Sequence, residues 1–347
     1  MYRIDFLKIV KLAWLNYDPS RTILSVEDIS AKVSTNHVYK MTFEDNGSII
    51  AKLSYFGRHE HFVEDHTIIN SLSNNLPAPY ENFLSRSLMK RNQLYVYRYN
   101  DSLIDAWVVF YRPIKIKKRL PRRLNEEQIA IFGKQIAHFH KGCHLIRNTL
   151  PPSSKTLNTD IEHLLEIVNS DFGAYEHRLQ QGVIQKQSEA LFENLEKYKF
   201  HNMPKIPVFV DWNIGNFSVT SSLKLFSRWD YDWFRMSSRI LDFYFLSRVV
   251  SDVGDRTIFT YNIGPLMEDR FILFLKNYHE VFPLTATEIH LLKEVYRFFI
   301  LNYVIKDGRY FFHEIYASKL QNEAYKNYFP SIEQEFNADK LLKALNL

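Results

Sequence analysis

Val208-Phe209-Val210-Asp211-Trp212-Asn213-Ile214-Gly215-Asn216-Phe217 is an apolar run that delivers one acid, Asp211, turns at Gly215 and resumes behind Asn216. Fourteen residues beyond Asn216, after a polar turn at Thr220-Ser221-Ser222, the run Leu223-Lys224-Leu225-Phe226 leads to Trp229-Asp230-Tyr231-Asp232. Short apolar runs rich in Val, Phe and Leu between polar turns predict strands. Asp211, Asn216 and Asp230 then come from neighbouring strand ends, where side chains converge in a cleft. An acid that accepts a hydroxyl proton, with an amide and a second acid as oxygen ligands, suits Mg2+-dependent phosphoryl transfer.

Upstream of this stretch the chain reads mainly as strands. Lys32-Val33 precedes the polar turn Ser34-Thr35-Asn36, and Val38 to Phe43 alternates as a strand should. Asp45-Asn46-Gly47 signals a hairpin, with Gly at a position that tolerates positive φ, and Ser48-Ile49-Ile50-Ala51-Lys52-Leu53 is the second strand. Ile68, Ile69 and Leu72 fall at helical spacing within 60–72, which Pro77 and Pro79 end. Residues 93–99 and 106–111 read as two more strands. Residues 112–123 hold seven basic residues in twelve and two prolines, an exposed connector.

From Asn125 the pattern turns helical. Glu126 and Glu127 suit a helix amino terminus, and Ile129, Phe132, Ile136 and Phe139 form one stripe. Amphipathic segments follow at 160–168 and 188–198. Residues 239–250 are apolar nearly all round, a buried helix, and 267–347 predicts three or four more. The expected architecture is α+β and bilobal: residues 1–111 a small antiparallel-sheet lobe, residues 112–347 a larger, mostly helical one.

At 347 residues, with 46% hydrophobic and 24% charged residues and 27 Phe, the chain has the balance of a folded globular protein, not of a disordered one. The single cysteine, Cys143, excludes an internal disulfide and points to a reducing compartment. Charges interrupt the amino terminus too early for a signal peptide, and no apolar run reaches membrane-spanning length. The net charge of +5 is too mild and unpatterned to favour nucleic-acid binding. A cytoplasmic protein without membrane or nucleic-acid partners is expected; the oligomeric state is not encoded in any pattern here.

The Asp211 to Asn216 spacing, followed by the strand ending in Asp230, resembles the catalytic loop and metal-binding Asp of protein-kinase-like phosphotransferases. The branch it is most similar to comprises the aminoglycoside phosphotransferases, choline kinases and related small-molecule kinases. Ile50-Ala51-Lys52-Leu53 looks like that fold's phosphate-holding strand, and Glu64 lies on the helix that supplies the ion-pair partner of Lys52, with Asp65 and Glu60 as alternatives. Gly133, Ala137 and His140 match the family's Gly, Ala and terminal His on one helix. Arg239-Ile240-Leu241-Asp242-Phe243 resembles its segment in which an Asp opens a buried helix. The resemblance implies a protein-kinase-like fold whose residues 1–111 bind nucleotide and whose residues 112–347 carry the catalytic loop and acceptor site. It implies ATP and Mg2+ as cofactors, Asp211 as the catalytic acceptor of a small molecule's hydroxyl proton, and Asn216 and Asp230 as metal ligands. Lys52 would neutralise phosphate, while Asn36, Phe110 and Tyr111 would contact the nucleotide, the latter two by backbone near Val109.

Two positions depart from the pattern. Phe209 stands where the family has His, and the turn Ser34-Thr35-Asn36 has no glycine. They support the alternative of a catalytically inactive kinase-like binding or scaffolding protein. Elsewhere the plainer readings are taken: Asp232 as an exposed turn acid (its functional version being a second metal ligand), Asp242 as a helix cap, His138 and His140 as structural on a core-facing helix. Phe298-Phe299 and Tyr310-Phe311-Phe312 read as helix core, and the basic connector as solvated, its functional version being to attract an anionic substrate. Glu162, Glu166, Asp171 and Glu176 are the acids that an aminoglycoside pocket would use, or else an ordinary solvated helix face.

Overall fold

The computed structural model describes residues 4–31, 36–177, 179–253 and 260–347. The chain begins with a helix, α1 (Phe6–Tyr17), where strands dominate the sequence pattern. Asp5 caps it by accepting from the Lys8 N–H at 3.0 Å, and Ile9, Val10, Ala13 and Trp14 form its buried face. That face packs on a sheet, with the Trp14 ring 4.5 Å from Phe43 and 5.3 Å from Phe110. The small lobe continues with β1 (Ile23–Asp28), β2 (His37–Phe43), β3 (Ser48–Ser54), α2 (His59–Asn75), β4 (Met89–Lys90), β5 (Gln93–Leu94), β6 (Val96–Asn100) and β7 (Asp105–Tyr111). Five of these strands form one sheet in the order β1-β2-β3-β7-β6, paired antiparallel throughout. The run predicted over 93–99 divides, because β5 folds back on β4 as a separate hairpin. The strand expected at Lys32-Val33 lies outside the described residues. In the β2–β3 turn it is Asn46, not Gly47, that takes positive φ, at 61°. Gly47 leaves room for the Arg21–Asp45 pair: a Cβ there would fall 1.9 Å from Arg21 Nη2 and displace that guanidinium.

The large lobe contains α3 (Glu126–Ile146), α4 (Leu157–Asn169), α5 (Asp171–His177), α6 (Gln181–Lys197), β8 (Ile206–Val208), β9 (Phe217–Val219), β10 (Leu225–Arg228), β11 (Arg235–Ser237), α7 (Phe243–Val250) and α8 (Asp269–Val281). Helical bodies over 286–306 and 314–335, each containing a stretch of wide π turns, the short helix Gly308–Phe311 and Ala338–Leu345 complete it; with α8 they make five helical bodies where three or four are expected. Asn125 and Gln128 form a reciprocal cap on α3. Gly133 lets α3 approach α8, since a Cβ would lie 2.7 Å from the Phe274 carbonyl oxygen. The short strands pair antiparallel as β8–β11 and β9–β10, so both ends of the Asp211 loop are tied into hairpin-like ladders. The basic connector is mostly exposed, but Lys118 exchanges backbone hydrogen bonds with Val219 and so extends the β9 edge.

A buried ionic cluster fastens the lobe's interior. Asp160 of α4 pairs with Arg235 of β11 and, at 3.4 Å, with Lys306. Removal from water pulls the Asp160 carboxyl upward, but Arg235 and Lys306 outweigh this and hold it at about 2. A depressed folded-state value stabilises fully above the unfolded value near 3.8 and is lost as pH falls toward 2. Asp160→Asn takes the shared carboxylate from two buried cations, leaving Lys306 with Asp307 alone, and is expected to destabilise the protein at neutral pH. The gap between native and variant urea unfolding free energies should then narrow by about 2 kcal/mol between roughly pH 5 and pH 2.

Candidate active site

The Asp211 loop leaves β8 and is held from behind by one carboxylate. Asp242 Oδ1 accepts the backbone N–H groups of Phe209 (2.9 Å) and Val210 (2.7 Å), and its Oδ2 lies 2.9 Å from His140 Nε2. His140 Nδ1 in turn meets the Tyr278 hydroxyl at 2.8 Å. Asp242 therefore corrects the helix-cap expectation: its side chain makes no capping bond to α7 and is spent on the loop. His140 is structural, as expected, whereas His138 faces solvent instead of the core. Val210 adopts φ 60°, a conformation that β-branched residues rarely take. Such strain gathers at functional loops that the surroundings over-determine.

Asp211 is half-buried at the cleft. Its carboxylate accepts the Asn213 N–H at 3.0 Å and the Asn216 side-chain N–H at 2.9 Å, which directs the Asn216 amide oxygen elsewhere. Phe209, in the family's His position, is buried against Phe234, with ring centroids 5.5 Å apart. Arg228 covers it: the guanidinium lies 4.4 Å from the Phe209 ring and 4.6 Å from Trp212, and Nη2 donates to the Asp211 carbonyl at 2.8 Å. Arg228 is fully buried, its Nε and Nη1 have no hydrogen-bond partner, and burial pulls its pKa down against the opposing pull of Asp211 and Asp242. An Arg within the apolar strand before Trp229-Asp230 was the sequence signal for this support, and it was missed.

Asp230, at φ 66°, opens onto the cleft opposite Lys52. Lys52 Nζ lies 3.3 Å from Asp230 Oδ1 and also bonds Asp232, which accepts from the Asn36 amide as well. Asn36 Oδ1 accepts from Ser54 Oγ at 3.3 Å. Asp232 is thus no exposed turn acid but the hinge of a network joining β3 to the Asp230 segment. Removal from water would discharge Lys52, but the two carboxylates more than offset it and its pKa is raised. Asp230 loses water too, yet Lys52, the Asp232 N–H and Arg228 hold it low. Its neighbour Asp232 is driven upward by burial and by Asp230.

Glu64 is not the partner of Lys52. It accepts from Ser153 Oγ (2.7 Å) and the Ser154 N–H (2.8 Å), Asp65 pairs with Lys155 at 2.5 Å, and Glu60 lies 3.8 Å from His59. The loop before α4 has recruited the acids of α2 to the large lobe. Glu64→Gln, which keeps an acceptor for both serines, should change the KM for nucleotide less than about threefold. Lys52→Gln, which removes the cation from the cleft roof, should raise it more than about tenfold.

The cleft between the lobes encloses about 1310 Å³, above the roughly 300–1,000 Å³ of a single-ligand pocket. Ile50 and Lys52, two apart on β3, share its roof with Val38, and Asp211, Asn216 and Asp230 form its floor. Tyr111 lines it, followed by Pro113 and Ile114. Phe110 does not: alternation turns its side chain into the small lobe's core, and its carbonyl accepts from the Leu88 N–H at 2.8 Å. Phe298 and Phe299 are core as expected, but Phe311 and Phe312 line the cleft. Glu162, Glu166, Asp171 and Glu176 do not line it, and Glu176 pairs with Arg309 at 2.7 Å. Among the described residues no three His, Cys, Asp or Glu side chains could enclose a metal by themselves. An Asp carboxylate and an Asn amide oxygen on one cleft floor fit Mg2+ nonetheless, because that ion keeps water and substrate phosphates among its ligands.

This architecture is the fold of the aminoglycoside phosphotransferase-like small-molecule kinases. Solved structures similar to the chain include an amicoumacin kinase determined with AMP-PNP and Ca2+ (TM-score 0.65, 14% identity, 97% of each chain covered). Others are a microcompartment-associated aminopropanol kinase (TM-score 0.60, 16% identity, 98% of this chain and 99% of the other) and a macrolide 2'-phosphotransferase type I (TM-score 0.54, 12% identity, 93% and 98%). No family model and no curated protein matches the sequence. Among the described residues no helix is long and apolar enough to cross a membrane.

Proposed function

We propose that the chain is an ATP- and Mg2+-dependent phosphotransferase acting on a hydroxyl of a small molecule. The observation that carries this is the convergence of Asp211, Asn216, Asp230 and Lys52, from two distant parts of the chain, on one cleft large enough for nucleotide and acceptor together. Asp211 orients the acceptor hydroxyl and takes its proton as the oxygen bonds to the γ-phosphorus and the bond to the β-phosphate oxygen breaks, releasing ADP. Lys52 draws phosphate charge into the roof, and Asn36 holds Asp232 beside it. Tyr111, Pro113 and Ile114 form the wall on which the nucleotide base lies. Asn216 and Asp230 would hold Mg2+, which supplies charge neutralisation across the phosphates. The protein's share is positioning and fixed electrostatics. Cys143 is a buried free thiol, in keeping with a reducing, cytoplasmic setting.

Phe209 favours an inactive binding protein only if the loop lost its support with the histidine. Asp242 and Arg228 supply that support, so the catalytic reading stands. The test is ADP formation from ATP in the presence of candidate alcohols, with Mg2+ and then with excess chelator. Turnover abolished by chelation is expected. Turnover indifferent to chelation, or none with any alcohol despite Mg2+-ATP binding, would return the inactive reading.

A further inference from the structure

We propose that the acceptor half of the cleft takes a hydroxyl-bearing molecule with a flat apolar body and no positive charge, an aryl alcohol or aryl hydroxy acid, and excludes polycationic aminoglycosides. This rests on the phosphotransferase function proposed above. Beyond Asp230 the cavity wall is aromatic: Trp233, Phe245, Tyr261, Phe311 and Phe312 line it. The rings support one another, Trp233 lying 5.4 Å from Phe245 and 5.5 Å from Phe311 in edge-on contacts. Trp233 follows Asp230 by three residues, so a ring placed on this wall keeps its substituent within reach of the catalytic floor.

Charge decides which ligand such a wall accepts. The only acids lining the cavity among the described residues are Asp211, Asp230 and Asp232, the catalytic acid and the two that bond Lys52. The other charged lining groups are Lys52, Arg119, Arg122 and Arg248, all cationic. A polyamine entering here would shed water from several ammonium groups without a carboxylate for each, which is costly. An aromatic wall can hold a single ammonium by its ring faces. Here, however, the Arg248 guanidinium already lies 4.7 Å from the Tyr261 ring and 5.1 Å from Phe245, so a second cation meets both an occupied face and a like charge. Flat apolar surface, by contrast, gains from burial against Trp233 and Phe311, and a carboxylate on it meets a cavity whose four cationic lining groups outnumber its three acids.

The experiment uses the full chain with Mg2+-ATP. Thermal stabilisation by Mg2+-ATP is measured first, which tests the kinase function separately. ADP formation is then followed with a panel of aryl alcohols and aryl hydroxy acids, 3-phenyllactate among them, and with tobramycin. Trp233→Leu and Phe311→Leu are assayed beside the native chain, each required to keep the Mg2+-ATP stabilisation. Acceleration by aryl acceptors with a KM raised about tenfold or more in either variant, and none by tobramycin, is the expected result. Phosphorylation of tobramycin, or no acceleration by any aryl acceptor in a chain that binds Mg2+-ATP, overturns the proposal. Loss of Mg2+-ATP binding in the native chain overturns the phosphotransferase function and this proposal with it.

Discussion

Asp242→Ala should cost about 3–5 kcal/mol of stability and abolish turnover, although Asp242 touches neither nucleotide nor acceptor. The carboxylate is fully buried and satisfies three donors at once: two backbone N–H groups of the catalytic loop and the His140 imidazole. Leaving one buried donor without a partner costs about 1–3 kcal/mol, and Asp242 is the shared acceptor of all three. The released loop also carries the strained Val210, at φ 60°, whose own N–H is one of the two that Asp242 holds. Urea unfolding followed by tryptophan fluorescence measures the loss, and Asp242→Asn should lie between native and Ala. A loss under about 1 kcal/mol would mean that Arg228 and the β8–β11 ladder hold the loop alone.

Asp211→Ala is expected to separate chemistry from folding in the opposite way. Asp211 faces the open cleft, so the Asn213 and Asn216 N–H groups it releases can turn to water, and stability should change by about 1 kcal/mol or less. Turnover should fall by about 10²–10⁴-fold, the usual contribution of a positioned general base, with the KM for nucleotide little changed. Steady-state kinetics with ATP and an acceptor read both quantities. A drop in nucleotide affinity equal to the drop in turnover would reassign Asp211 to phosphate or metal binding.

What the sequence revealed of this site was what local spacing encodes. Asp211, Asn216 and Asp230 sit within one short strand-turn-strand stretch, and Lys52 shares a strand face with Ile50, so both positions follow from a period and a turn. Glu64 failed because its partner was inferred from helix spacing alone, and nothing local announces that Ser153 and Ser154 lie closer than Lys52. The substitution at Phe209 looked like a lost support until Arg228, nineteen residues away in sequence, was seen stacked on it. Asp242 could be placed at a helix start but not assigned its bonds, because they cross from α7 to the catalytic loop and to α3. Helix α1 was hidden by the strand-rich pattern that follows it. Phe311 and Phe312 have the composition of core, and only the cleft beside them shows otherwise.

The most direct measurement is thermal stability with and without ATP and Mg2+, on the native chain and on Asp230→Ala. A ligand that binds only the folded state, at about 100 times its Kd, adds about 2.7 kcal/mol. The native chain should show a shift that requires both ATP and Mg2+, and Asp230→Ala should lose its Mg2+-dependent part. A native chain unmoved by millimolar ATP and Mg2+, or a shift of equal size in Asp230→Ala, would contradict the assignment of this cleft.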